Sequence, residues 1–246
     1  MGRNIRTDGV ILHVYRVAEY HKGLVILSPD LGVFHATAFG ACKGKSKLSG
    51  VSETFIEGNL QLYHDPVKDR YKVSEIVPVQ PHEHLRTDLD RYYTALFWAE
   101  MIMKSFAGGE EFPSLYRFVT SSLYQLEHVA ETEQLLIQFI WRYLGLIGFQ
   151  PDILVCGECG RAVDRGESLF LQNGQFVGQE CGTGGDSLIL SPAARNYLLY
   201  TSGLSMEKTE GVKMVQPERQ ALKRLLGLFI EDILGHPLNM LRKGLI

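Results

Sequence analysis

The sequence predicts an α+β protein of more than one domain: a small five-stranded β-barrel at the N-terminus, then an all-helical domain interrupted by a cysteine-rich loop. Three observations carry this expectation. The hydrophobic period changes from about two to about 3.6 near residue 82. Three of the four cysteines crowd into a Gly-rich stretch late in the chain, and charge divides unevenly along the 246 residues. The domains are accordingly placed at 1–82 and 83–246, with the insertion at 152–186.

Residues 9–15, 23–27, 33–39, 54–63 and 71–79 are short β-branched runs separated by Gly, Pro and Asp, which is strand patterning. Ser28-Pro-Asp-Leu-Gly32 reads as a turn, with Pro presetting φ and Gly permitting a left-handed backbone. Five strands in about 75 residues suit a closed or partly closed barrel.

Beyond Pro78-Val-Gln-Pro-His-Glu-His84 the pattern turns helical. Leu89, Tyr92, Tyr93, Leu96, Phe97, Met101 and Met103 mark an amphipathic helix ending near Gly108-Gly109. Helices over 113–128 and 131–147 follow, the second closed by Gly148 and Pro151. Ser191-Pro192 has the Ser cap and first-turn Pro of a helix start. Gln216-Pro217 opens another helix, whose stripe of Leu222, Leu225, Leu226, Phe229, Ile230 and Ile233 stops at Gly235. Trp98 and Trp141 sit on apolar faces and are expected in the core.

No stretch has the roughly 18 uncharged apolar residues of a membrane helix, and Met1–Leu12 lacks a secretory core, so the chain reads as cytoplasmic. The net charge is −3. Residues 1–50 hold seven Lys/Arg against three Asp/Glu, and the remainder 18 against 25, so +4 faces −7. A polyanion is steered to the N-terminal segment. Within it Lys43-Gly-Lys45-Ser-Lys47 is the densest cationic cluster, and ammonium groups on a Gly/Ser loop can follow a phosphate backbone. A short Lys run also suits a plain solvated turn. Arg3, Arg6, Arg16 and Lys22 add to the positive segment, and Tyr15, Tyr20, Phe34 and Phe39 are candidates for base stacking or for barrel core.

Cys156-Gly-Glu-Cys159 is a knuckle that aims two sulfurs at one tetrahedral metal. A second knuckle is due about 15 to 20 residues on. There the chain offers Cys181 alone, with Gly178 where its partner would stand. Two readings stay open: zinc bound by Cys156, Cys159, Cys181 and a ligand such as Asp164, Glu180 or Asp186, or a hairpin that needs no metal. Cys42 reads as a free thiol. His82-Glu-His84 reads as a solvent-exposed loop rather than a metal pair. Phosphate-binding loops, dinucleotide fingerprints and nucleophile elbows are missing, so a non-enzymatic role is expected. A thiol- or zinc-dependent enzyme and a helical interaction scaffold are the competing classes.

The order of these features resembles the bacterial RecO family nearly end to end. The resemblance runs through Asp8-Gly-Val-Ile-Leu12, Ala38-Phe-Gly-Ala-Cys-Lys-Gly-Lys-Ser-Lys-Leu48 and Leu144-Gly-Leu-Ile-Gly-Phe-Gln-Pro151, which leads into Cys156-Gly-Glu-Cys-Gly160. It implies that the barrel is an OB-fold binding single- and double-stranded DNA, with Lys43, Lys45 and Lys47 as backbone contacts. It further implies annealing of complementary strands, partnership with RecR and the tail of the single-stranded-DNA-binding protein (SSB), loading of RecA, and work at the bacterial nucleoid. Many such proteins carry four knuckle cysteines, so Gly178 is a departure that leaves zinc open.

Overall fold

A computed structural model describes residues 3–105, 111–182 and 188–246. The chain forms two compact units, 1–128 and 129–246. Secondary structure changes from strand to helix at residues 80–83, where the hydrophobic period changes. Compactness divides the chain later because the first three helices associate with the barrel.

In the first unit β1 (Arg3–Val17), β2 (His21–Ser28), β3 (Gly32–Ala38), β4 (Glu57–Asp65) and β5 (Arg70–Gln80) form a closed barrel in the order β1-β2-β3-β5-β4. Neighbours are antiparallel except β3 and β5, which run parallel and pair only at Ala36↔Tyr71 and Thr37↔Lys72. Alternation sends Leu24, Ile26, Phe34, Ala36, Leu60, Leu62 and Val73 inward. A bulge between Ile11 and His13 bends the long β1. Between β2 and β3, Ser28 Oγ accepts the N–H groups of Asp30 and Leu31, and Gly32 takes φ +67°.

Helices α1 (Glu83–Thr87), α2 (Leu89–Lys104) and α3 (Phe112–His128) complete this unit. The buried face of α2 is centred on Trp98, Ile102 and Ala95, while Leu89 and Met103 of the expected apolar face are exposed. The helix ends at Lys104, with the Ser105 N–H bonding Met101 O, short of the Gly108-Gly109 expected to close it, a pair that lies outside the described residues.

His82 corrects the reading of an exposed loop. It is 1% exposed and takes a left-handed backbone, φ +47°. Its Nδ1 lies 2.8 Å from Glu127 Oε2 on α3, and its Nε2 lies 3.8 Å from Glu57 Oε2 on β4. The Tyr116 hydroxyl donates to Glu57 at 2.9 Å. Burial and the Glu57 carboxylate raise the Tyr116 phenol well above its ordinary range. Glu127 meets the buried ring at Nδ1, while Nε2 has the Glu57 charge nearby but no hydrogen-bond partner among the described residues.

The second unit holds α4 (Thr132–Leu146), a three-stranded sheet of β6 (Leu169–Gln172), β7 (Gln175–Gly178) and β8 (Leu188–Leu190) in the order β7-β6-β8, then α5 (Pro192–Ser202), α6 (Met206–Thr209), α7 (Gln216–Leu234) and α8 (Asn239–Arg242). Ser191 caps α5, its side chain accepting from Ala194 N at 3.1 Å, and Gly235 ends α7 with φ +64°. Leu222, Leu225, Leu226, Phe229 and Ile230 are buried as the stripe predicts, its last member Ile233 is half-buried, and Trp141 is 3% exposed. Among the described residues no helix is long and apolar enough to cross a membrane.

His82→Ala strands the Glu127 carboxylate, which is 5% exposed. It is expected to lower unfolding free energy by about 3 kcal/mol, read as an earlier urea midpoint. An unchanged midpoint would show that these contacts contribute no net stability.

Candidate nucleic-acid interface and cysteine cluster

Residues 39–56 leave β3 and return to β4 through successive tight turns, with Lys43 N bonding Gly40 O, Ser46 N bonding Lys43 O and Ser49 N bonding Ser46 O. Ala41, Leu48 and Ile56 enter the barrel core from this segment, with Val51 packed beside them. Anchoring the apolar residues inward leaves Lys43, Lys45 and Lys47 exposed. The Lys43 ammonium lies 5.3 Å from the Tyr20 ring centroid, within cation–π range.

The other predicted cations divide. Arg16 is exposed and donates to the carbonyls of Ala18 and Glu19 at 3.3 and 3.1 Å. Its cross-strand partner is Lys22. The Lys22 ammonium, however, is turned inward, 2.7 Å from Glu53 Oε1 and within 3.3 Å of the carbonyls of Ser49 and Ser52. It anchors the lysine-bearing segment instead of facing solvent. Arg3 and Arg6 are exposed on β1, and Arg6 lines a depression shared with Asp8 and Asp30. Cys42 is an exposed free thiol.

Of the four aromatics singled out, Phe34 is core at 8% exposure, whereas Tyr15, Tyr20 and Phe39 are 39%, 45% and 50% exposed. Tyr15 lies across Gly23, where a Cβ would sit 2.2 Å from the ring, so glycine is needed at that position. Sequence reasoning missed Tyr63 and Lys72. They are cross-strand partners on β4 and β5, and the Lys72 ammonium stands 5.6 Å from the Tyr63 ring centroid and 5.7 Å from that of Phe39. Strand alternation points to the outer face, but the meeting of Phe39 with Lys72 depends on the closure of the barrel.

In the second unit, Cys156, Cys159 and Cys181 bring their sulfurs within 4.8 Å of one another. The knuckle forms because Gly160, at φ +70°, returns its N–H to Cys156 O at 2.8 Å. Backbone N–H groups of Cys159 and Gly178 aim at the Cys156 sulfur and pull its thiol down to about 6, and bonding to the Cys159 and Cys156 sulfurs pushes Cys181 up to about 12. Among the described residues no carboxylate or imidazole joins this group. Asp164 and Glu180 therefore supply no fourth ligand in this arrangement, and Asp186 lies outside the described residues.

A Cβ at Gly178 would meet Glu167 Oε1 at 2.9 Å and Arg161 Nη2 at 3.0 Å. An ion pair therefore occupies the space beside the missing cysteine. Arg161 donates through Nη2 and Nη1 to the two Glu167 carboxylate oxygens at 2.8 and 3.1 Å, and Gln179 N donates to Glu167 at 2.8 Å. Beneath the loop Arg195, 1% exposed, donates to the carbonyls of Ile153, Val163, Asp164 and Glu167. Neither ion-pair partner nor Arg195 carried a sequence signal: Arg161 and Glu167 face each other within a loop that has no helical or strand period, and Arg195 acts on carbonyls 28 to 42 residues away.

Arg195→Met keeps the aliphatic stem but leaves four loop carbonyls without their donor, and is expected to cost about 3–5 kcal/mol in unfolding free energy. Cys159→Ser should shift the urea midpoint far less. The Arg161 side chain and the Gln179 N–H hold the Glu167 carboxyl down to about 2 from 4.5. A depressed carboxyl stabilises the fold above the unfolded value and loses that contribution as pH falls through the folded one. Glu167→Gln should accordingly flatten the loss of thermal stability between about pH 5 and pH 2; an unaltered acid limb would overturn this assignment.

The family model described as "Recombination protein O N terminal" matches residues 1–82, and that described as "Recombination protein O C terminal" matches residues 86–242. The chain is 25% identical over 228 residues to the DNA repair protein RecO of Clostridium kluyveri, covering 92% of this chain and 88% of that protein. It is 25% identical to the Desulforamulus reducens protein of the same name, covering 95% and 91%, and 27% identical to that of Desulfitobacterium hafniense, covering 89% and 76%. With two adjacent family models spanning almost its whole length, the chain belongs to the RecO family.

Proposed function

We propose that the protein is a DNA-repair and recombination mediator whose barrel is an OB-fold that grips the DNA backbone. The observation that carries this reading is the orientation of residues 39–56: apolar residues anchored in the barrel, and Lys43, Lys45 and Lys47 turned outward. Such a loop neutralises phosphates on any sequence and leaves base edges unread. A protein that holds two strands in this way brings complements together without competing for their pairing faces. Arg3, Arg6 and Arg16 extend the field. Lys22 contributes by positioning the segment through Glu53.

On this reading residues 1–82 are the DNA-binding domain and residues 83–246 the partner-facing one. The partners are RecR and the acidic tail of SSB, the outcome is RecA loading on single strands, and the work takes place in the cytoplasm at the nucleoid. The protein assembles complexes and makes or breaks no bond. Cys156, Cys159 and Cys181 would supply three thiolates to a zinc ion, one ligand short of a closed structural site. The Arg161–Glu167 pair and Arg195 would keep the loop folded when a chelator strips the ion.

Replacing Lys43, Lys45 and Lys47 together by Ala should weaken oligonucleotide binding on all sequences alike. It should reduce the slope of log K against log salt by about 2 for single strands. The same variant should anneal SSB-coated complementary strands more slowly than the parent protein. Salt-insensitive binding by the parent, or annealing no faster than the spontaneous rate, would sink the proposal.

A further inference from the structure

We propose that Phe39 and Tyr63, flanking Lys72, form a platform on which unpaired bases of a single strand stack, so that the barrel distinguishes single strands from duplex. This rests on the DNA-binding reading above and assigns a second function to the same barrel.

Three features of the outer sheet point to this occupant. Phe39 and Tyr63 are 50% and 37% exposed, and the Lys72 ammonium lies over both rings, 5.7 and 5.6 Å from their centroids, so an incoming base would displace it from a ring face toward the phosphate. The β3, β5 and β4 strands are neighbours, and two strand spacings set the rings roughly 10 Å apart. That span accommodates two bases of one extended strand, separated by more than a single nucleotide step, with a phosphate between them meeting Lys72. The edge of His21 packs on Phe39 at 4.8 Å between centroids, and Tyr20 with Lys43 follows one residue earlier in the chain. Rings and cations thus run from the platform toward the lysine segment.

Nearby acids are already engaged. Asp69 pairs with His64 at 2.9 Å, and Asp65 accepts the N–H groups of Val67 and Lys68. The Asp65 carboxylate also feels the Lys72 charge, so an incoming phosphate competes with it for that ammonium.

Base faces are open only in a single strand; in duplex they are covered by their neighbours, while the phosphates stay accessible. The lysine segment therefore attracts both forms, and the platform adds affinity for one. When complements pair, the bases leave Phe39 and Tyr63, and the duplex is held by charge alone. Annealing then weakens the protein's hold on its own product.

The test compares equilibrium binding of an oligo-dT, an abasic oligonucleotide of equal length and a blunt duplex. Phe39→Leu with Tyr63→Leu keeps apolar bulk and removes both π-faces. It should weaken oligo-dT binding by about tenfold or more, leave duplex binding within about twofold and preserve the salt slope, since no charge is lost. The parent should prefer oligo-dT to the abasic strand, and the variant should not. Phe39→Trp should retain oligo-dT affinity, with the added indole fluorescence quenched on binding. Equal parental affinity for oligo-dT and abasic strand, or an equal loss on duplex and oligo-dT in the double variant, overturns the platform while the backbone-binding reading stands. Failure of the parent to bind any of the three overturns both.

Discussion

The contact on which the first unit depends is the short parallel pairing of β3 with β5, limited to Ala36↔Tyr71 and Thr37↔Lys72. Every other strand pair of the barrel is antiparallel and longer. An open five-stranded sheet would expose two unpaired edges, and this contact removes both. Its register also sets the outer surface. Following paired residues around the barrel links Asn4 to Tyr63, Tyr63 to Lys72, Lys72 to Thr37, Thr37 to Gly23 and Gly23 to Tyr15. The circuit begins and ends on β1 at different heights, as the stagger of a closed barrel requires. A shift of one residue at the β3–β5 seam would turn Lys72 away from Phe39 and replace an outward row by an inward one.

The same closure explains the posture of the lysine segment. Residues 39–56 connect two strands that are not neighbours, so they must cross an end of the barrel, and Ala41, Leu48 and Ile56 enter its core there. Lys22 reinforces that crossing from below by bonding Glu53 and two carbonyls. Buried anchors at both ends and the middle restrict the backbone while three lysines remain in water. Phosphates thus meet charges already displayed on an ordered frame, and less conformational freedom is lost on binding than a free tail would lose.

What was legible in the sequence was local. The five strands, the capped start of α5 and the Gly-terminated end of α7 follow from alternation, Ser191-Pro192 and Gly235, signals carried by a few consecutive residues. What was hidden depended on partners far along the chain. His82 looked solvated because its carboxylate partners, Glu57 and Glu127, are 25 and 45 residues away. Lys22 looked like a free cation for the same reason, its carboxylate partner standing at Glu53. Phe39 and Tyr63 were separated by a strand connection, and only the closed register makes them flank one ammonium. Composition located the positive segment without saying which of its charges face water.

The cysteine loop brings three sulfurs together on a frame held by an ion pair and by the Arg195 hydrogen bonds. A four-thiolate site ties two knuckles through one ion. Here Gly178 withdraws one ligand, and the space beside it is filled by a bidentate Arg161–Glu167 pair that also captures Gln179 N. Arg195 ties Ile153 on one side of the first knuckle to Val163, Asp164 and Glu167 on the other, and the Glu167 carboxylate reaches on to the turn that carries Cys181 through Gln179 N. A guanidinium suits the Arg195 position because its fixed fork of donors meets several carbonyls at once. The three sulfurs, within 4.8 Å of one another, thus sit on a frame that ion pairs and hydrogen bonds hold in place.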